Sequence, residues 1–200
     1  KQIFAVARLA GFNANQSSLE HLPFGTMLGA DGKPFKTRSG DIIKLADLLR
    51  EAENRALRLV QEKNPGLELQ AARELSKIIG IGAVKYGDLC KNRTSDYVFD
   101  WDQMISFEGN TSPYLQYAYT RVRSIFSRGE IEVATLPSET IAVDEPERRL
   151  AVTLAALNDT LEQVAAEGYP HYLCTYLYEL ATRFTQFYEA CPILKSTGEV

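Results

Sequence analysis

The last third of the chain carries two apolar seams at helical spacing. Leu150, Leu154, Leu157, Leu161 and Val164 step by four and three, and Leu173, Leu177, Leu180, Phe184 and Phe187 do the same. Such stepping gives each helix one apolar stripe, which is stable only against another helix. Gly168 and Pro170 lie between the seams and interrupt any continuous helix. The spacing predicts one helix from about Glu147 to Glu167 and a last one from His171 to Ala190, stopped by Pro192. A chain patterned in this way is constrained towards a helix bundle.

The same period recurs upstream. Ser112 and Pro113 read as an N-cap followed by proline at the first helical position. Leu115, Ala118, Val122 and Ile125 form the next stripe, ended by Gly129. From Ile43 to about Glu62, Leu45, Leu49, Ala52 and Ala56 line one side, widened by Leu48 and Leu59, and Asn64-Pro65-Gly66 ends the helix. Another helix runs from about Leu69 through Leu75, Ile78 and Ile79 towards Leu89. Gly80 and Gly82 sit inside it, each costing about 1 kcal/mol against Ala, which predicts a break or a close helix contact. Residues 2–10 read as a short helix stopped by Gly11. Residues 18–29, with Pro23, Gly25 and Gly29, read as a strand or hairpin. Residues 31–40 read as a loop, 94–111 as extended or irregular, and 130–144 as a connector.

Composition narrows the function classes. The 45% apolar fraction fills a core, and a net charge of −4 argues against nonspecific coating of nucleic acid. Any nucleic-acid contact must therefore be local. Three cysteines (Cys90, Cys174, Cys191) and two histidines (His21, His171) supply neither a disulfide framework nor a Cys/His zinc site. No apolar run approaches the roughly 20 residues of a membrane helix. The first ten residues lack the small-residue cleavage site of a secretory signal. Reduced thiols and a cytoplasmic location are the corresponding expectations.

The densest chemistry lies in Gly29–Gly40. Lys33, Lys36 and Arg38 stand beside the hydroxyls of Thr37 and Ser39, three glycines and one acid, Asp31. Glycine lets backbone approach a ligand, and the cations can neutralise phosphate charge. A solvated basic turn has the same composition. The spacing is not that of a Walker loop.

The order Gly32-Lys33-x-Phe35-Lys36-Thr37-Arg38-Ser39-Gly40 resembles the variant KMSKS loop of class I arginyl-tRNA synthetases. The resemblance continues in Leu19-Glu20-His21-Leu22, Ile81-Gly82-Ala83-Val84-Lys85-Tyr86, Lys91-Asn92-Arg93 and Phe99-Asp100-Trp101-Asp102. It also covers Phe107-Glu108-Gly109-Asn110-Thr111, Tyr114 to Arg121 and Tyr188 to Leu194. It implies a mainly α chain: a helical bundle preceded by a small α/β remnant of a Rossmann-type catalytic domain. The implied division is 1–42 for the remnant with its loop, 43–111 for a connecting helical region, and 112–200 for a DALR anticodon-binding bundle lacking its C-terminal end. It also implies an arginine–tRNA ligase that uses ATP with Mg2+, arginine and tRNA, without a protein-bound metal, as a monomer. Lys36 and Arg38 would be catalytic, and Met27, Lys33, Lys36, Thr37 and Arg38 would hold ATP. Arg38 departs from the lysine common in class I enzymes at that place, and a guanidinium is not a flexible ammonium point charge. The sequence contains no HIGH-type motif, so the expectation is a piece truncated at both ends that does not aminoacylate alone.

Tyr114, Tyr117, Tyr119, Tyr172, Tyr176, Tyr178 and Tyr188, seven of the ten tyrosines, lie in the bundle. Aromatic faces stack on unpaired bases, and Arg121, Arg123 and Arg128 add local positive charge. Packing competes as an explanation for each ring. From residue 112 onward there are 7 Lys and Arg against 12 Asp and Glu, so bulk charge does not favour RNA. The resemblance assigns Tyr114, Gln116, Tyr117, Arg121, Arg123, Tyr178 and Tyr188 to tRNA. Asp100, Asp102 and Glu108 are expected to cap helices and pair with Lys91 or Arg93. The two histidines are expected to be structural or exposed, and Trp101 to be a packing anchor between the middle region and the bundle. The alternatives are a noncatalytic RNA-binding helical module and a helical scaffold without a ligand.

Overall fold

The computed structural model describes residues 2–12, 18–34, 44–136, 144–191 and 193–195. The fold is mainly helical. Helix α1 (Gln2–Leu9) gives way to a turn at Gly11, whose φ is 76°. Strand β1 (Met27–Leu28) is the one regular element of residues 18–29. It pairs in parallel with β2 (Tyr97–Val98), Met27 opposite Tyr97 and Leu28 opposite Val98. A parallel pair needs a long crossover, and two helices supply it.

Those helices are α2 (Leu45–Lys63) and α3 (Leu69–Leu89). The Glu68 carboxylate starts α3 by accepting the Ala71 N–H at 3.1 Å. Hydrogen bonds from the backbone of Gln70 and Ala71 hold that carboxyl below its ordinary range. The helices meet along small residues. Leu48, Ala52, Ala56 and Val60 of α2 face Ala72, Ser76, Ile79, Gly80 and Ala83 of α3. The choice between a break and a close contact at Gly80 resolves in favour of contact. A Cβ there would lie 2.7 Å from the carbonyl carbon and oxygen of Ala52. This close approach turns the seam: Leu45 and Ile78 point outward, 67% and 62% exposed, while Val60 is buried.

Helix α4 (Trp101–Met104) interrupts the region expected to be irregular. Asp100 caps it, accepting the N–H groups of Asp102 at 2.9 Å and Gln103 at 3.0 Å. Phe99 is buried with Leu48, Ala52 and Val84 and meets Trp101 edge-on at 4.7 Å. The Arg55 guanidinium stands 5.0 Å over Trp101 and 3.8 Å from Asp102. Trp101 thus anchors the β2–α4 corner to α2, and the ion pair of Asp102 comes from Arg55 instead of Lys91 or Arg93.

The bundle follows. Helix α5 (Ser112–Gly129) is capped one residue earlier than the Ser-Pro pair suggests. Thr111 holds the extended conformation, and its hydroxyl accepts the Tyr114 N–H at 3.3 Å, so Ser112 becomes the first helical residue. The single helix expected to Glu167 is two, α6 (Glu145–Ala155) and α7 (Leu157–Glu167), meeting at Ala156. The Thr153 hydroxyl donates to the Arg149 carbonyl and that of Thr160 to the Ala156 carbonyl, both at 2.9 Å. Such back-bonding bends helices. Helix α8 (His171–Ala190) has the boundaries its seam predicts and packs against α5, α6 and α7. Among the described residues no helix is long and apolar enough to cross a membrane.

Candidate phosphate turn and nucleic-acid interface

The described start of the basic loop is a tight turn on the end of β1. The Gly29 N–H donates to the Lys33 carbonyl at 2.7 Å, and the Gly32 N–H to the Gly29 carbonyl at 2.9 Å. Gly32 has a φ of 70°, a conformation other residues adopt only with strain. The Asp31 carboxylate accepts the Lys33 N–H at 3.2 Å, and Leu28 bridges Pro34. Lys33 is thereby placed, exposed, at the exit of the turn. Met27 faces the other way, half-buried against the cluster of Leu48, Ala52, Val84 and Phe99. Lys36, Thr37 and Arg38 lie outside the described residues.

The second surface is built by α5 and α8. Arg121 is sandwiched between two rings, its guanidinium carbon 5.3 Å from the centre of Tyr117 and 4.4 Å from that of Tyr188. Tyr117 and Arg121 are four apart on one helix face. Tyr188 comes from α8 and meets Phe184 at 6.0 Å. Further along the same pair of helices, Tyr114 meets Tyr178 at 5.6 Å. Both contacts advance together along the two helices, so α5 and α8 run in the same direction. Tyr117 keeps 49% of its surface, enough for a base to stack on it.

Not every candidate joins this surface. Gln116 turns towards α3, its Nε2 lying 2.9 Å from where a Gly82 Cβ would stand. With Lys63, Asn64, Pro113, Tyr117 and Thr120 it lines a groove of about 660 Å³ between α2, α3 and α5. Arg123 is exposed, but residues two apart on a helix do not share a face, so it leaves the side that Arg121 occupies. Tyr176 is buried, and Tyr172 donates its hydroxyl to Glu167 at 3.1 Å, so these two rings pack the bundle.

Two further residues stand out: Tyr86, which sequence reasoning left without a role, and Arg93, which it expected only as an ion-pair partner of nearby acids. The Tyr86 hydroxyl lies 2.6 Å from Asn110 Oδ1 and 2.9 Å from the Cys174 carbonyl, tying α3 to α8. Burial pushes its phenol upward. Arg93 donates from Nε to the Gly168 carbonyl at 2.7 Å and from Nη1 to the Pro23 carbonyl at 2.6 Å. Both residues lay within motifs that carry the resemblance, but nothing in their spacing named their partners. Among the described residues no group of three or more His, Cys, Asp or Glu side chains could hold a metal.

Comparison with known proteins accounts for this pairing of a β-strand turn with a helical surface. Residues 1–101 match the family described as tRNA synthetases class I (R), catalytic domain, and residues 115–200 match the DALR anticodon binding domain. Matches of this kind, in this order, define a class I tRNA synthetase. The chain is 57% identical over its whole length to an arginine–tRNA ligase of Marinomonas sp., covering 35% of that relative. It is 58% identical over its whole length to one of Chromobacterium violaceum, covering 34%. The crystal structure of arginyl-tRNA synthetase from Plasmodium falciparum superposes with a TM-score of 0.77 at 30% identity, over 96% of this chain and 32% of that one. The chain belongs to the arginyl-tRNA synthetase family. It spans about a third of the length of the curated relatives it matches.

Proposed function

We propose that the chain supplies the ATP-phosphate turn and the anticodon-reading bundle of an arginine–tRNA ligase. The observation that carries this reading is the guanidinium of half-buried Arg121 set against the rings of exposed Tyr117 and half-buried Tyr188. Arginine reacts with ATP to give arginyl-adenylate and pyrophosphate. The tRNA terminus then takes the arginyl group and AMP leaves. Pyrophosphate departure concentrates negative charge, which cations fixed beside it stabilise. Lys36 and Arg38 take this catalytic role, and Met27, Lys33, Lys36, Thr37 and Arg38 form the KMSKS-like site for ATP with Mg2+. Tyr114, Tyr117, Arg121, Tyr178 and Tyr188 meet tRNA on the α5–α8 surface, and Gln116 and Arg123 meet it from the neighbouring faces of α5. Residues 1–42 are the catalytic-domain part, 43–111 the connecting region and 112–200 the anticodon-binding part. The protein works as a cytoplasmic monomer on tRNA, ATP and arginine.

The high identity to named arginine–tRNA ligases supports the amino-acid assignment. The test is an aminoacylation assay on the gene product that carries this chain, with each of the standard amino acids. Charging of arginine tRNA with arginine alone is expected. Failure to charge that tRNA, with the RNA still bound, would leave only the noncatalytic RNA-binding module.

A further inference from the structure

Helix α3 packs against both helices of the α5–α8 surface. At Gly82 it seats α5: Ser112 Oγ and Gln116 Nε2 each lie 2.9 Å from where a Cβ would stand. Tyr86 is four residues further along α3 and shares that face. Its half-buried hydroxyl lies 2.6 Å from Asn110 Oδ1 and 2.9 Å from the Cys174 carbonyl. Asn110 immediately precedes Thr111, the cap of α5. The Thr111 hydroxyl donates to the Ser106 carbonyl at 2.6 Å and closes the loop that leads into the helix. Cys174 is buried one turn before Tyr178 on α8. Tyr178 in turn meets Tyr114, in the first turn of α5, at 5.6 Å. One hydroxyl on α3 therefore ties the start of α5 to the turn of α8 that faces it.

A phenol has one proton and cannot donate to two carbonyl oxygens at once. All three groups are satisfied together when the Asn110 amide presents its nitrogen, so that Asn110 donates to Tyr86 and Tyr86 donates to Cys174. Within α8 the Cys174 carbonyl already has the N–H of Tyr178 as its helical partner. The bond from Tyr86 is thus not needed to satisfy that carbonyl, and what it adds is position. We propose that Tyr86 is a positioning residue for RNA binding, setting the spacing of α5 and α8 so that their tyrosines and Arg121 are aligned before RNA arrives. This inference rests on the function proposed above. A surface ordered in advance spends less of its interaction energy on ordering when it binds. Without the tie, RNA must itself place α8 against α5, and it leaves sooner.

The experiment measures the affinity and the association and dissociation rates of an arginine anticodon stem-loop for the gene product that carries this chain, at several salt concentrations. It compares wild type, Tyr86→Phe, Asn110→Ala and the double variant. Tyr86→Phe is expected to bind about 5-fold more weakly, mainly through faster dissociation. No phosphate contact is lost, so the slope of log affinity against log salt is expected to stay unchanged. Asn110→Ala is expected to weaken binding in the same way, and the double variant no further than either single one. Wild-type affinity in Tyr86→Phe would overturn the inference alone. So would a lowered melting temperature with unchanged affinity of the folded protein, which marks a purely structural residue, or additive losses, which mark Asn110 as a separate RNA contact. If Tyr86→Phe does not fold, Asn110→Ala decides: weaker binding at unchanged salt slope supports the tie, and wild-type binding overturns it. Wild-type protein that does not bind the stem-loop would overturn the functional reading as well.

Discussion

Arg121 has its charge held in place before any ligand arrives, by one ring from its own helix and one from α8. Each such contact contributes about 0.5–1 kcal/mol at an exposed site. That is how a bundle with more acidic than basic residues can offer a local site to a polyanion. Gly80 shows the opposite constraint, where nothing larger fits. Alanine there would gain about 1 kcal/mol of helix propensity. Its Cβ, however, would overlap the Ala52 carbonyl, which is backbone and cannot turn aside. Overpacking of this kind costs about 1–3 kcal/mol and also parts the small-residue seam. Gly80→Ala is therefore predicted to lose about 1 kcal/mol net, seen as a lower urea midpoint at unchanged slope. Cys174 makes a prediction about pH. Burial pushes its thiol up to about 11, from an ordinary value of 9.0. Because the folded value is raised, the stability it contributes is fully present below pH 9 and is lost as pH rises towards 11. Urea midpoints are expected to be level up to pH 9 and to fall between pH 9 and 11. Cys174→Ala is expected to flatten part of that fall.

At the scale of elements, the long helices were legible because their apolar period decides where they pack. The end residues of α8 follow from its seam and the breakers on either side. The break at Ala156 was not legible, since it depends on which threonines turn back onto carbonyls, and their hydroxyls could equally face water. The β1–β2 pair was hidden for another reason. Two residues are too few for an alternating pattern, and the partner lies beyond two helices. Helix α4 is short enough to depend on its cap. Asp100 accepts two of its N–H groups, and Asp100→Ala is predicted to cost about 1 kcal/mol. Trp101, the first residue of α4, is the sole tryptophan of the chain. Its fluorescence therefore reports this change directly, as a red shift at temperatures well below global unfolding.

For the whole molecule, the two sites differ in how they could be read. On α5, Tyr117 and Arg121 were visible as neighbours from their spacing, but only folding brings Tyr188 across from α8. Arg93 was expected to pair with a carboxylate, and its actual partners were hidden because they are carbonyls, which every residue carries. The parallel course of α5 and α8 makes the proposed RNA-facing surface a joint product of two helices separated by a connector and two more helices. The central claim is that this surface reads single-stranded tRNA. The most direct measurement titrates this chain with an arginine anticodon stem-loop at several salt concentrations, in wild type and Arg121→Ala. The account predicts that the wild type binds, and that the variant binds about 10-fold more weakly, or about 1.4 kcal/mol. The dependence of log affinity on log salt is predicted to become shallower by about one in the variant. Equal affinity and equal salt dependence for the two proteins would contradict it.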